Sequence, residues 1–206
     1  MGNIVEGKLY ISAQELQEQS LEIAENVLRS DFDPDYLIAL WRGGTPVGCY
    51  VHEFMQYVGK MQDPKFKLDH APLGTFGYED NQLQKEVKVY GIDLVLDRIK
   101  EKGHKRILVV DDVFDTGKTL ATVTGMLPAE LRLDVRIAVP YWKKEANKTQ
   151  LKPDFYNEIL PEETWIVFPH EMEQRTLEEL RHKGGSYYVR VKRLQKLIQH
   201  ADSPGH

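Results

Sequence analysis

The sequence predicts an α/β fold built around a mostly parallel sheet. Two observations predict it. Short apolar runs of strand length alternate with stretches whose apolar residues recur at helical spacing, the pattern of successive strand–helix units. Two of those runs, Tyr36 to Leu40 and Ile107 to Val110, end abruptly in polar, ligand-type sequence, Arg42-Gly43-Gly44 and Asp111-Asp112. In open α/β sheets ligands sit beyond the carboxyl ends of the strands, so both sequences stand where such a sheet would place its site.

The elements follow in order. Ser12 and Glu15 form a capping-box pattern ahead of a helix carrying Leu16, Leu21, Ile23, Ala24, Val27 and Leu28. Asp33-Pro34 closes the connection, and Tyr36 to Leu40 reads as a buried strand. Pro46 stands where a helix would begin, with Val47, Val51, Phe54 and Met55 as its apolar stripe. Residues 61–86 read as one long polar, irregular loop, and a loop of that length in a small domain is usually functional or disordered. Val87 to Tyr90 is a short strand, and Ile92, Val95, Leu96 and Ile99 form a helical stripe stopped by Gly103. After the strand at 107–110 comes a helix with Leu120, Val123 and Leu127, then an apolar strand from Val135 to Val139. Residues 173–183 and 187–199 read as two further helices, separated by Gly184-Gly185.

With 206 residues, the chain is long enough for one domain with a full core and a small appendage. A net charge of −5 disfavours a general nucleic-acid-binding surface. The single cysteine, Cys49, cannot form an internal disulfide and reads as a core residue of an apolar helix. No basic-then-apolar leader is present, and no run approaches the ~20 apolar residues of a membrane span, so a cytoplasmic location is the default expectation.

Residues 107–119 carry the most chemistry. The apolar strand runs into Asp111 and Asp112, Asp115 follows, and the small turn Thr116-Gly117-Lys118-Thr119 opens a helix. Free backbone N–H groups and the positive end of the helix dipole make such a turn a phosphate cradle. Carboxylates cannot share a phosphate, so Asp111 and Asp112 need sugar hydroxyls or a divalent cation as partners. The Gly-Lys-Thr triplet is not a P-loop: that motif requires glycine where Asp112 stands. Nor is the segment an ordinary strand–turn–helix, since two acids at a buried strand's end are costly without partners.

Apolar strand, two acids, two spacers and Asp-Thr-Gly-x-Thr together resemble the phosphoribosyl-diphosphate signature of the type I phosphoribosyltransferases. The resemblance, over about residues 36–172, implies that family's fold with a small hood; the extra C-terminal helices lie beyond it. The chain then divides into a phosphoribosyltransferase-like domain, residues 1–172, with a hood at about 141–172, and a C-terminal helical extension, 173–206. The signature's acids, Asp111 and Asp112, would hold the ribose hydroxyls and Mg2+, and Thr116, Gly117, Lys118 and Thr119 the 5′-phosphate. Arg42 and Gly43 resemble the family's diphosphate loop; a guanidinium suits an anion, and glycine allows close backbone approach.

Other segments extend the resemblance towards bacterial xanthine–guanine enzymes and archaeal hypoxanthine relatives. Residues 78–89 are similar to their catalytic loop and the strand after it, with Gly77-Tyr78 in place of a Ser-Tyr pair and Lys85 at the basic position near its end. Thr164 to Met172 is similar to the hood pattern Trp-Ile-x-x-Pro-Trp followed by an acid, with His170 in place of the second Trp. On that match Trp165 stacks on the base, while the Ile166 backbone and Glu171 face the edge bearing the 2-substituent. Tyr141-Trp142-Lys143 matches an aromatic-x-Lys pattern, which implies Lys143, in preference to Lys144, as donor to a purine 6-oxo group. Asp115 would take a proton from N7 of the base.

The activity implied is transfer of phosphoribosyl from its diphosphate to N9 of hypoxanthine, guanine or xanthine. Arg42 and Lys85 would stabilise the leaving diphosphate. Small-molecule substrates, no nucleic acid, no membrane and a homo-oligomer are the partners expected. A binding module of the same fold, sensing phosphoribosyl diphosphate or nucleotides without catalysis, is the alternative; the presence of Arg42, Asp115, Lys85 and Trp165 favours catalysis. An orotate or pyrimidine enzyme is disfavoured by the Trp165 hood.

Overall fold

The structure, a computed structural model, describes residues 3–77, 87–173, 175–183 and 186–201. Strands are β1 (Asn3–Val5), β2 (Lys8–Tyr10), β3 (Tyr36–Trp41), β4 (Asp69–Gly77), β5 (Val87–Tyr90), β6 (Arg106–Val110), β7 (Val113–Phe114), β8 (Asp134–Trp142), β9 (Phe155–Ile159) and β10 (Trp165–Val167). Helices are α1 (Ala13–Arg29), α2 (Gly44–Gln62), α3 (Ile92–Lys102), α4 (Lys118–Gly125), α5 (Leu177–His182) and α6 (Tyr187–Ala201). They fall into two units, residues 17–163 and residues 1–16 with 164–206, the boundary lying inside α1.

The larger unit is the predicted α/β sheet. Its order is β5-β4-β3-β6-β8, with β9 on β8 as well, and every pairing is parallel except β4 with β5. β7 continues the line of β6 along β8 in unbroken register: Val110 opposes Ala138, and Val113 opposes Tyr141. Asp111 and Asp112 occupy the gap. The sheet is buried on both faces, which is why its strands read as continuous apolar runs. On one face Tyr36, Ile38, Leu40, Ile107, Val109, Ile137 and Val139 pack with Val95 and Ile99 of α3 and Leu120 and Val123 of α4. On the opposite side α2 lies along β3, with Val47, Val51 and Met55 buried.

The smaller unit holds a three-stranded sheet, β1-β2-β10, with a β1–β2 hairpin and β10 added parallel to β2. Glu6 and Gly7 both have positive φ (50° and 75°), the backbone that a two-residue hairpin turn requires. Thr176 caps α5 through a full capping box with Glu179.

Several expectations need correction. Residues 61–86 are not one irregular loop: α2 runs to Gln62, and Asp69–Gly77 is a strand of the main sheet. Pro72 and Gly74 disguise it. β5 covers only Gly74 to Gly77, so at Pro72 one edge of β4 is open, a position where a residue without an N–H is tolerated. Helix α2 starts at Gly44, two residues before Pro46. The helix expected over 173–183 begins only at Leu177, after its Thr176 cap. Cys49 is an exposed residue of α2, not a core one. The hairpin at 3–10 and strand β9 carried no sequence expectation.

Candidate active site

Two strand ends and one turn build the site. At the first, β3 leads through a cis Trp41–Arg42 peptide into Gly43 and the start of α2. At the second, β6 delivers Asp111 and Asp112. The two meet: a Cβ on Gly43 would fall inside the Asp112 carboxyl group, and one on Gly44 would strike the Val110 carbonyl and lie 2.8 Å from Asp111 Cα. Glycine at both positions is therefore a packing requirement.

Asp111 keeps its place in the sheet, its N–H donating to Ala138 O at 3.2 Å. Its carboxyl accepts the Asp112 N–H at 3.0 Å and is also stabilised by the Gly44 N–H. The residue retains some exposed surface, yet the carboxyl itself is enclosed by protein. Burial raises its pKa well above the usual carboxylate range, and the neighbouring Asp112 charge adds to the rise. Asp111 therefore favours its protonated form until a cation or a hydroxyl donor meets it.

After β7 the chain turns through Asp115, Thr116 and Gly117 into α4. Gly117 has φ +76°, and a Cβ there would lie 2.7 Å from both Phe114 and Thr149 Oγ1. Gly117 puts no side-chain cap on α4, and the Lys118 N–H meets only Thr116 Oγ1, at 3.5 Å, so the first turn has N–H groups to offer an anion. The turn is buttressed from behind. Lys148 N–H donates to Thr116 O at 2.9 Å, and Asn147 Oδ1 accepts both the N–H and hydroxyl of Thr149, each at 2.9 Å. A cavity of about 180 Å³ opens here, lined by Asp111, Asp112, Asp115, Thr116, Gly117 and Thr119. Lys118 is exposed at the same turn.

Lys143 follows the end of β8, with its N–H bonded to Phe114 O at 2.9 Å. Its ammonium donates to Asp115 Oδ2 at 3.1 Å; the lysine side chain is 12% exposed and the aspartate 47%. Lys144 is exposed and starts a short 3-10 turn. Arg42, Gly43, Asp111, Asp112, Asp115, Thr116 to Thr119 and Lys143 thus all belong to the larger unit. Arg42 is exposed. Lys85 lies outside the described residues. A larger, mainly apolar cavity of about 270 Å³ lies between α2 and strands β3 and β4, lined by Leu37, Ala39, Cys49, His52 and His70. It flanks the sheet on the α2 side.

The three hood residues belong to the smaller unit. Trp165 begins β10 and is 57% exposed, and the Arg175 guanidinium lies 5.7 Å from its ring centroid. Ile166 is buried and pairs with Leu9. Glu171 Oε2 accepts from Arg175 at 3.0 Å and from the Phe168 N–H at 3.4 Å. Sequence reasoning missed Asn147, Thr149 and Arg175. Asn147 and Thr149 form a local Asx-type turn whose relevance depends on a partner some thirty residues away, which no local pattern announces.

A sequence model described as a phosphoribosyl transferase domain matches residues 12–175. The chain is 24% identical over 169 residues to the hypoxanthine-guanine phosphoribosyltransferase of Lactococcus lactis, spanning 81% of this chain and 84% of that protein. Among solved structures, it is similar to a purine phosphoribosyltransferase from Pyrococcus horikoshii, with TM-score 0.57, 22% identity, and coverage of 82% of this chain and 98% of that one. It is also similar to a hypothetical protein from Neisseria gonorrhoeae with bound ppGpp, with TM-score 0.62, 19% identity, and coverage of 85% and 96%.

Proposed function

We propose a function for this chain within the family to which it belongs, the phosphoribosyl transferase domains: transfer of 5-phosphoribosyl from phosphoribosyl diphosphate to N9 of a 6-oxopurine. The observation that carries the choice of base is the Lys143–Asp115 pair. An ammonium donor stands 3.1 Å from a carboxylate acceptor beside the phosphate-type turn. A 6-oxopurine offers the complementary edge, an O6 acceptor next to an N7–H donor. Adenine offers an amino donor where Lys143 needs an acceptor.

In this reading the turn from Thr116 to Thr119 holds the 5′-phosphate through backbone N–H groups and the dipole of α4. Asp111 and Asp112 hold the ribose hydroxyls. Arg42 and the Gly43 backbone hold the diphosphate, together with Lys85. The C1′–O bond breaks and its electron pair leaves with diphosphate, while N9 forms the new bond to C1′. The base becomes more acidic as positive charge builds on it, and the Asp115 carboxylate accepts its N7 proton. Lys143 supports the negative charge that would otherwise collect on O6.

The donor set also fits Mg2+. Two carboxylates at one strand end are hard oxygen ligands, and among the described residues no larger group of ligating side chains is present. Magnesium is commonly held by one or two carboxylates with substrate oxygens completing its shell. Asp111 and Asp112 would hold the ion, and when bound it supplies charge neutralisation of the diphosphate.

The test is a spectrophotometric panel with phosphoribosyl diphosphate, Mg2+ and each of hypoxanthine, guanine, xanthine, adenine and orotate. Turnover of an oxopurine with little or none of adenine is expected. Tight phosphoribosyl-diphosphate binding without turnover of any base would replace the enzyme reading with that of a sensor.

A further inference from the structure

The segment that follows Met172 converges on three residues of the hood, Trp165, Pro169 and Glu171. Lys183 Nζ donates to Pro169 O at 3.2 Å and also to Glu171 O. Tyr187 donates its hydroxyl to the same Pro169 carbonyl at 3.2 Å. Arg175 donates to the Glu171 carboxylate at 3.0 Å and lies over the Trp165 ring. Its side chain is only 11% exposed, and the Glu179 carboxylate 3.9 Å away is its second counter-charge. Glu179 in turn is held by Lys8 of the hairpin at 2.5 Å and by the Thr176 N–H at 2.8 Å. A buried guanidinium costs free energy unless it is paired, and here its partners are the hood's own acid and an exposed indole.

We propose that the C-terminal segment is a clasp that sets the position of Trp165 and Glu171, with Arg175, Lys183 and Tyr187 as positioning residues for base recognition. The clasp rests on these contacts alone; its part in base recognition rests on the functional reading above and on the hood resemblance of Trp165 and Glu171. The physical logic is that Pro169 cannot anchor its own loop through an N–H, since it has none. Its carbonyl therefore becomes the anchor, and it takes two donors from a segment lying beyond the indole platform in sequence. Arg175 does a second job. By pairing with Glu171 it holds that carboxylate beside the Phe168 N–H, so the loop closes on itself. Lys183 has its amine pushed down to about 8 by burial, against the opposing pull of Glu171.

Two readouts on the full chain separate the clasp from the activity. Hydrogen exchange on the substrate-free protein should show residues 165–172 exchanging about tenfold faster in Lys183→Met than in wild type, with β3 and β6 unchanged. Tyr187→Phe, a milder change, should give a smaller acceleration in the same peptides. Unaltered exchange at 165–172 in both variants would overturn the clasp whatever the activity. In steady-state kinetics Arg175→Gln should raise the purine KM about tenfold and leave the phosphoribosyl-diphosphate KM within about twofold, with Arg175→Lys restoring part of the loss. Equal rises in both KM values, or none, would remove Arg175 from base positioning. A wild-type protein inactive on every purine would defeat the functional reading, while the exchange result would still decide the clasp.

Discussion

At Gly43 the absence of a side chain lets the Asp112 carboxyl lie against the backbone of the diphosphate-type loop. Gly43→Ala should displace Asp112 and lower kcat/KM on the order of 100-fold, the scale of an ångström-level misplacement at a reacting centre. A thermal melt near wild type with that loss would identify a local effect; a wild-type kcat/KM would show that Asp112 needs no such contact. At Asp115, replacement by Asn keeps the shape and removes the proposed proton acceptor. Turnover should fall on the order of 100-fold while phosphoribosyl-diphosphate affinity, read by calorimetry, stays within about twofold. Lys143→Met should raise the oxopurine KM on the order of 10- to 100-fold, as loss of a charge-assisted hydrogen bond does. Adenine kinetics in the same variant check the reason: discrimination against adenine should narrow.

Among elements, the hairpin and α5 are joined by Lys8 and Glu179. The Lys8 hydrogen bond, then the Thr176 N–H, hold the Glu179 carboxyl down to about 2. A depressed carboxyl pKa contributes stability that is complete above the unfolded value, near 4.5, and is lost as pH falls through the folded one. With Lys8 partly exposed, the pair is discounted for solvent screening to about 1 kcal/mol. Glu179→Gln should therefore be less stable than wild type by that amount at pH 7, and the gap should close as pH falls below about 4.5. Urea denaturation at pH 7, 5 and 3.5 reads the gap; a constant difference would assign Glu179 a packing role alone.

For the whole molecule, the central strand β6 is where stability concentrates. Ile107 is fully buried between β3 and β8, whereas Ile4 on the hairpin is mostly exposed. Ile107→Ala should cost about 2–5 kcal/mol and Ile4→Ala no more than about 0.5 kcal/mol, both read from urea midpoints. Similar losses at the two positions would mean that the sheet is not the dominant core. The same burial explains why this part of the fold was legible. Strands covered on both faces must be apolar throughout, and the polar residues that interrupt them, Arg42-Gly43-Gly44 and Asp111-Asp112, mark the strand ends by contrast.

By itself, then, the sequence determined the α/β sheet, the polar residues that end two of its strands and the small turn that follows the second. Each of these is written in contiguous residues whose burial or charge leaves few alternatives. Only the tertiary structure decided that β4 is a strand despite Pro72, because an open edge there excuses the proline. It alone showed that Lys143, not Lys144, meets Asp115, since that depends on which lysine the end of β8 turns inward. It alone brought the chain's two ends together around Trp165, through β2, β10 and α5. Such pairings join residues more than 150 positions apart, and their energy lies in contacts that no local periodicity encodes.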